Sequence, residues 1–194
     1  MEGENVTLIV LALVVVAAIL LVWLMMARRK SAALRDRFGE EYDRTVETRG
    51  GRAAGEADLE SREARVKELD IRPLGPEERE RFTAEWKDVK ATFVDAPGEA
   101  ISHADRLLTT VMKTRGYPMA DFEHRHADLT VSHGNVAKHY LAGHEIAERH
   151  GAGEASTEDL RQGLIHYEAL FDDLVNDQGD PDRPRPVSRQ AQVN

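Results

Sequence analysis

STEDLRQGLIHYEALFDDL, residues 156–174, decides the fold class. Its apolar side chains Leu160, Leu164, Tyr167, Phe171 and Leu174 recur every three or four residues, the period of one face of an α-helix. Ser156 stands before the run as an N-cap, and Asp159 follows three residues on, in a capping-box position.

Working back toward the N-terminus, the same period returns. Pro76 suits the first position of a helix, and Glu77 and Glu78 favour the positive end of its dipole. Phe82, Trp86, Val89 and Phe93 then line one face. Pro97 opens a second helix with Ile101, Ala104, Leu108 and Val111 on its stripe and Gly116 as its stop. Tyr117-Pro118 reads as a turn, and Met119, Phe122, His126 and Leu129 as a short third helix. Ser132 is expected to cap a fourth, running to about His150 with Val136, Tyr140, Gly143 and Ala147 inward. No stretch alternates with period two over strand length. The expectation is an all-α chain whose residues 74–176 form a small antiparallel bundle of four or five helices. Residues 177–194 carry prolines and no apolar face, and are expected to be a disordered tail.

The other end of the chain has a different character. After a short flank, residues 1–5, the 22 residues Val6–Ala27 hold no charge, and 14 of them are Leu, Ile or Val. As a helix this stretch is about 33 Å long, against a hydrocarbon core of about 30 Å. The acidic Glu2 and Glu4 and the length of the run argue against a cleaved signal peptide. A retained N-terminal transmembrane helix over 6–27 is expected, with the lipid bilayer as partner. Arg28, Arg29, Lys30, Arg35 and Arg37 follow the span. Basic flanks stay on the cytoplasmic side, so the N-terminus is expected outside and the C-terminal domain in the cytoplasm. The alternative is an exported domain facing the envelope. Arg28, Arg29 and Lys30 are also placed to touch anionic lipid headgroups.

Residues 28–49 read as a juxtamembrane helix continuing the span, with Leu34, Phe38, Tyr42 and Val46 on a stripe of period four. Gly50, Gly51 and Gly55 mark a flexible joint. Residues 50–73 then form a charged helical spacer with only Leu59, Val66 and Leu69 in its apolar pattern. Acid-then-base pairs four apart, Asp58–Arg62 and Glu63–Lys67, support an exposed helix.

Composition removes several function classes. The net charge is −9, and discounting the first 30 residues leaves 33 acidic and 23 basic side chains, a surface that repels nucleic acid. With no cysteine there is no disulfide, thiolate metal site or cysteine nucleophile. Nucleotide-binding, hydrolase and kinase motifs are absent, so no catalytic residue and no cofactor is assigned.

Histidine is the unusual residue. Six of eight lie at His124, His126, His133, His139, His144 and His150. Glu123 and His126 make one Glu-x-x-His step, but di-iron bundles need two such steps and two further carboxylates. His144-Glu145 lacks the second histidine of a zinc protease, and His139, His144 and His150 fall off a common face. No metal is expected, with Glu123, His126 and His144 as weak candidates only. The acids Asp172, Asp173, Asp177, Asp180 and Asp182 do not fit a calcium loop, since Leu174 stands where a ligand is needed.

The segments RFGEEYD at 37–43, GPEER at 75–79 and STEDLR at 156–161 resemble a group of bacterial single-span, membrane-anchored helical proteins. No activity is attached to that group, so the resemblance implies an architecture and no site. The functional expectation is a membrane-tethered, non-enzymatic module that binds an unknown protein partner. A pH- or metal-responsive sensor using the histidine-rich helices, and an enzyme of unrecognised type, are the alternatives.

Overall fold

The computed structural model describes residues 2–119 and 121–178, with side chains at residue 11 and from residue 13 onward. Among the described residues the chain is all-helical, with eight helices and no strand. They are α1 (Glu2–Phe38), α2 (Glu40–Thr48), α3 (Arg52–Glu68), α4 (Pro76–Asp95), α5 (Pro97–Arg115), α6 (Phe122–Ser132), α7 (Gly134–Gly151) and α8 (Thr157–Asn176). The chain divides into two compact units, Met1–Glu60 and Ser61–Asn194, with the dividing line inside α3.

In the first unit α1 carries the apolar stretch. Its described large side chains from Leu11 to Met26 are all exposed, between 49% and 66%. The expected span 6–27 includes residues 6–10 and 12, whose side chains lie outside the described residues. Among the described residues no helix is long and apolar enough to cross a membrane. The helix expected over 28–49 is broken: Gly39 takes φ +53°, and α1 and α2 meet there. Positive φ suits glycine, which has no Cβ to strike the following carbonyl.

The joint expected at Gly50, Gly51 and Gly55 is also corrected. Gly50 and Gly51 make the turn, both at positive φ, and Gly51 N–H closes it by donating to Val46 O at 2.9 Å. Gly55 is a buried residue of α3, and a Cβ there would lie 2.7 Å from the Val46 Cα. The third glycine lets two helices touch. The spacer is correspondingly less exposed than its composition suggested: in the first unit Leu59 is buried, as are Leu34, Phe38, Tyr42 and Thr45, and Val66 is buried in the second.

In the second unit α4–α8 form the bundle, as the periodicity predicts. Its core is built from Phe82, Trp86 and Val89 of α4, Ile101, Ala104, Leu108 and Val111 of α5, and the α8 stripe. Trp86 stacks on Phe171 with centroids 4.6 Å apart and planes at 13°, worth about 0.5–1.5 kcal/mol beyond the area buried. The caps follow the sequence closely. Pro76 and Pro97 are first residues, Gly116 ends α5 at φ +100°, and Ser156 and Asp159 form the capping box.

One boundary differs. Ser132 ends α6 instead of capping α7, and His133 alone separates the two helices. Asp121 supplies the α6 cap by accepting the His124 N–H at 2.9 Å. The inward face of α7 is accordingly Ala137, Tyr140, Gly143 and Ile146, with Val136 and Ala147 only partly buried. Gly143 faces Tyr167 while Ile146 faces Gly163, so α7 and α8 run antiparallel. The expected tail lies, from residue 179 onward, outside the described residues.

Candidate functional site

The centre of the bundle holds a polar group that periodicity does not announce. Tyr140 of α7 and Tyr167 of α8 are both fully buried, with ring centroids 6.4 Å apart. The Tyr167 hydroxyl donates to Asp105 Oδ1 of α5 at 3.1 Å, and Arg125 Nε of α6 donates to the Tyr140 oxygen at 3.3 Å. Burial pushes the Tyr140 phenol up, and burial together with the Asp105 charge pushes Tyr167 up. Both phenols therefore stay protonated and serve as hydrogen-bonding groups, Tyr167 linking α8 to α5 and Tyr140 linking α7 to α6.

A second polar cluster closes the C-terminal end of α8. Arg115, at 2% exposure, donates to Arg72 O at 3.1 Å and Leu174 O at 3.0 Å, and its guanidinium pairs with Asp177. His133 joins it, with Nδ1 on Asp173 and Nε2 3.8 Å from Asp177. Asp128, at 1% exposure, takes both Arg65 Nε and its terminal nitrogen, at 2.8 and 2.6 Å, which ties the end of α3 to α6.

The remaining histidines take several roles. His126 and His144 both stack with the Phe122 ring, with centroids 5.9 and 3.6 Å away, and Glu123 is exposed. The structure thus places two of the three weak metal candidates against an aromatic ring. Among the described residues no group of three or more metal-binding side chains comes together. The structure does bring together a pair that sequence spacing missed. His139 of α7 and His166 of α8 face each other with Nδ1 atoms 3.0 Å apart. Both are half-buried, and burial, then His166 and Lys138, push the His139 imidazole down. The signal was available only by placing 139 and 166 on facing helices, not by counting along one.

His150 lies over Gly98 at the start of α5, where a glycine Cβ would collide with its ring. Ala96, Glu99, Ser102 and Arg106 complete an open depression of about 550 Å³ there.

In the first unit the polar focus is Glu56. It accepts from the Tyr42 hydroxyl at 2.7 Å and from Arg52 Nε at 2.8 Å, while Arg52 also reaches Ser31. Burial raises its carboxyl, but hydrogen bonds from Ser31, Arg52 and Tyr42 outweigh that and hold it at about 2. Arg28 and Arg29 are exposed, whereas Lys30 pairs with Glu60 at 2.5 Å.

Comparison with known proteins adds no assignment: no family model, no curated protein and no solved structure matches the chain.

Proposed function

We propose that this chain is a membrane-tethered, non-enzymatic helical module that presents its bundle to a protein partner. The observation that carries the reading is the uncovered apolar surface of α1. Large side chains from Leu11 to Met26 stand exposed around the helix, far beyond the scattered apolar residues of an ordinary surface. Fourteen Leu, Ile and Val residues within 6–27 favour insertion by about 4–8 kcal/mol at the usual central value per residue. The basic cluster from Arg28 puts the N-terminus outside the cell membrane and the bundle in the cytoplasm. Exposed Arg28 and Arg29 are the residues placed for anionic headgroups, since Lys30 is engaged by Glu60.

The bundle supports binding over catalysis through the state of its buried polar groups. Tyr167 bonds to Asp105 and Arg125 to Tyr140, so each of these groups is already engaged within the bundle. Tethering raises the effective concentration of a weak binder for anything else held at the same surface.

The two tryptophans, Trp23 and Trp86, make the anchor directly testable. In a Trp86→Phe chain only Trp23 emits. Reconstitution with phospholipids brominated along their tails is expected to quench that emission, and undiminished emission would remove the anchor. For orientation, Val193→Cys in intact cells is expected to resist an impermeant maleimide until the cells are broken; labelling from outside would reverse the topology. The interaction half is read by hydrogen exchange over residues 74–176. Slower exchange is expected in native membranes than for the purified chain, and identical exchange would discard a bound partner.

A further inference from the structure

The geometry points to a transition-metal site between His139 of α7 and His166 of α8, of the kind that takes Cu²⁺ and its near neighbours Ni²⁺ and Zn²⁺. The inference stands apart from the membrane reading, since both ligands belong to the bundle.

Two imidazole nitrogens at hydrogen-bond distance share one proton when no cation is present: one ring donates and the other accepts. The same separation suits a metal. Two nitrogens 3.0 Å apart, each about 2.05 Å from a common ion, subtend about 94° at it. That is the angle between adjacent positions of a square-planar or tetragonal centre, the geometry Cu²⁺ and Ni²⁺ prefer. A tetrahedral ion needs the nitrogens about 3.3 Å apart, a few tenths more than the helices now provide. The ring planes differ by 33°, and the shallow torsion of a histidine ring lets each lone pair turn toward a shared point.

Chemistry narrows the cation further. His166 and Lys138 both disfavour positive charge on His139. The two donors are imidazole nitrogens, so affinity comes from coordination bonds rather than from charge. This disfavours Ca²⁺ and Mg²⁺, which need oxygen donors, and favours ions that prefer imidazole, with Cu²⁺ first in the divalent order. Half-burial leaves the remaining positions to water or a small ligand. The site also has a structural consequence, because a cation held by both rings clamps α7 to α8 beside the Gly143–Tyr167 contact.

The test uses the full chain in detergent micelles, stripped with chelator and titrated with Cu²⁺. One equivalent is expected to give an axial paramagnetic resonance spectrum with coupling from two imidazole nitrogens. His139→Gln and His166→Gln are each expected to weaken that first equivalent at least tenfold, while His124→Gln, on the exposed face of α6, leaves it unchanged. Equal binding in the double variant His139→Gln, His166→Gln would overturn the assignment, as would failure of the unaltered chain to take up copper. Footprinting needs no variant. One equivalent of Cu²⁺ is expected to protect both His139 and His166 from diethyl pyrocarbonate while His124 still reacts; undiminished modification at 139 and 166 refutes the site.

Discussion

Replacing Gly143 with alanine adds one methyl group where α7 packs against Tyr167 of α8. The added Cβ would sit 2.5 Å from Tyr167 Cε1 and 2.6 Å from Cδ1, well inside van der Waals contact. Tyr167 cannot simply turn away, because it is fully buried and its hydroxyl is held by Asp105 at 3.1 Å. Alanine is favoured over glycine inside a helix by about 1 kcal/mol. Against that stand overpacking, about 1–3 kcal/mol, and the strained hydrogen bond to a carboxylate, worth about 1.5–3 kcal/mol if lost. The net expectation is a destabilisation of about 2–4 kcal/mol, measured by urea unfolding of the full chain in detergent with helical circular dichroism as the probe. A double-mutant cycle isolates the cause. In a Tyr167→Leu background the ring is gone, so Gly143→Ala is expected to be neutral or stabilising by up to about 1 kcal/mol. An equal cost of Gly143→Ala in both backgrounds would refute the packing argument.

Arg115→Met removes the donor to two backbone carbonyls and the guanidinium partner of Asp177, and is expected to cost about 3–5 kcal/mol by the same unfolding assay. Arg115→Lys recovers only part of this, since an ammonium cannot reach three acceptors set around a planar fork. Glu56 has a carboxyl near 2 in the folded chain, below its unfolded value. The stability it adds is thus present above about pH 4.5 and fades as pH falls toward 2. Exchange of peptides covering 40–60 should accelerate in that window relative to Glu56→Gln, and parallel profiles would contradict the assignment. Gly55→Ala meets the Val46 backbone as well as its side chain, so it should cost about 1–3 kcal/mol and open the same 40–60 region first. Ser156→Ala removes the α8 cap and should cost about 1 kcal/mol in the urea assay.

The bundle was legible because its helices carry their own punctuation. Pro76, Pro97, Gly116 and Ser156 act on their immediate neighbours, so local reading placed them. Ser132 misled for the same reason: it resembles a cap, but Leu129 and Thr130 are buried and Ser132 is the last residue of α6. In the first unit, glycine had two meanings that sequence does not separate. Gly39 and Gly51 turn the chain through positive φ, while Gly55 simply has no side chain to keep Val46 away. The polar clusters were the least visible. Tyr140 and Tyr167 sit at helical spacing like any core aromatic, and their bonds to Arg125 and Asp105 join residues 15 and 62 apart. The histidine pair was hidden likewise, because counting within 124–150 never compares His139 with His166.

The closure of α8 by Arg115 bears on how the chain is made. Arg115 leaves the ribosome 62 residues before the aspartate it holds. The pairings α4 with α5, α6 with α7 and α7 with α8 join neighbours in sequence and can form as each hairpin emerges, whereas α5 with α8 joins distant ones. The nascent bundle must therefore keep the α5 face and a buried-to-be guanidinium open to water until its last helix arrives. During that interval it is most exposed to proteases and chaperones, and an arrested chain stopping short of Asp177 would remain there.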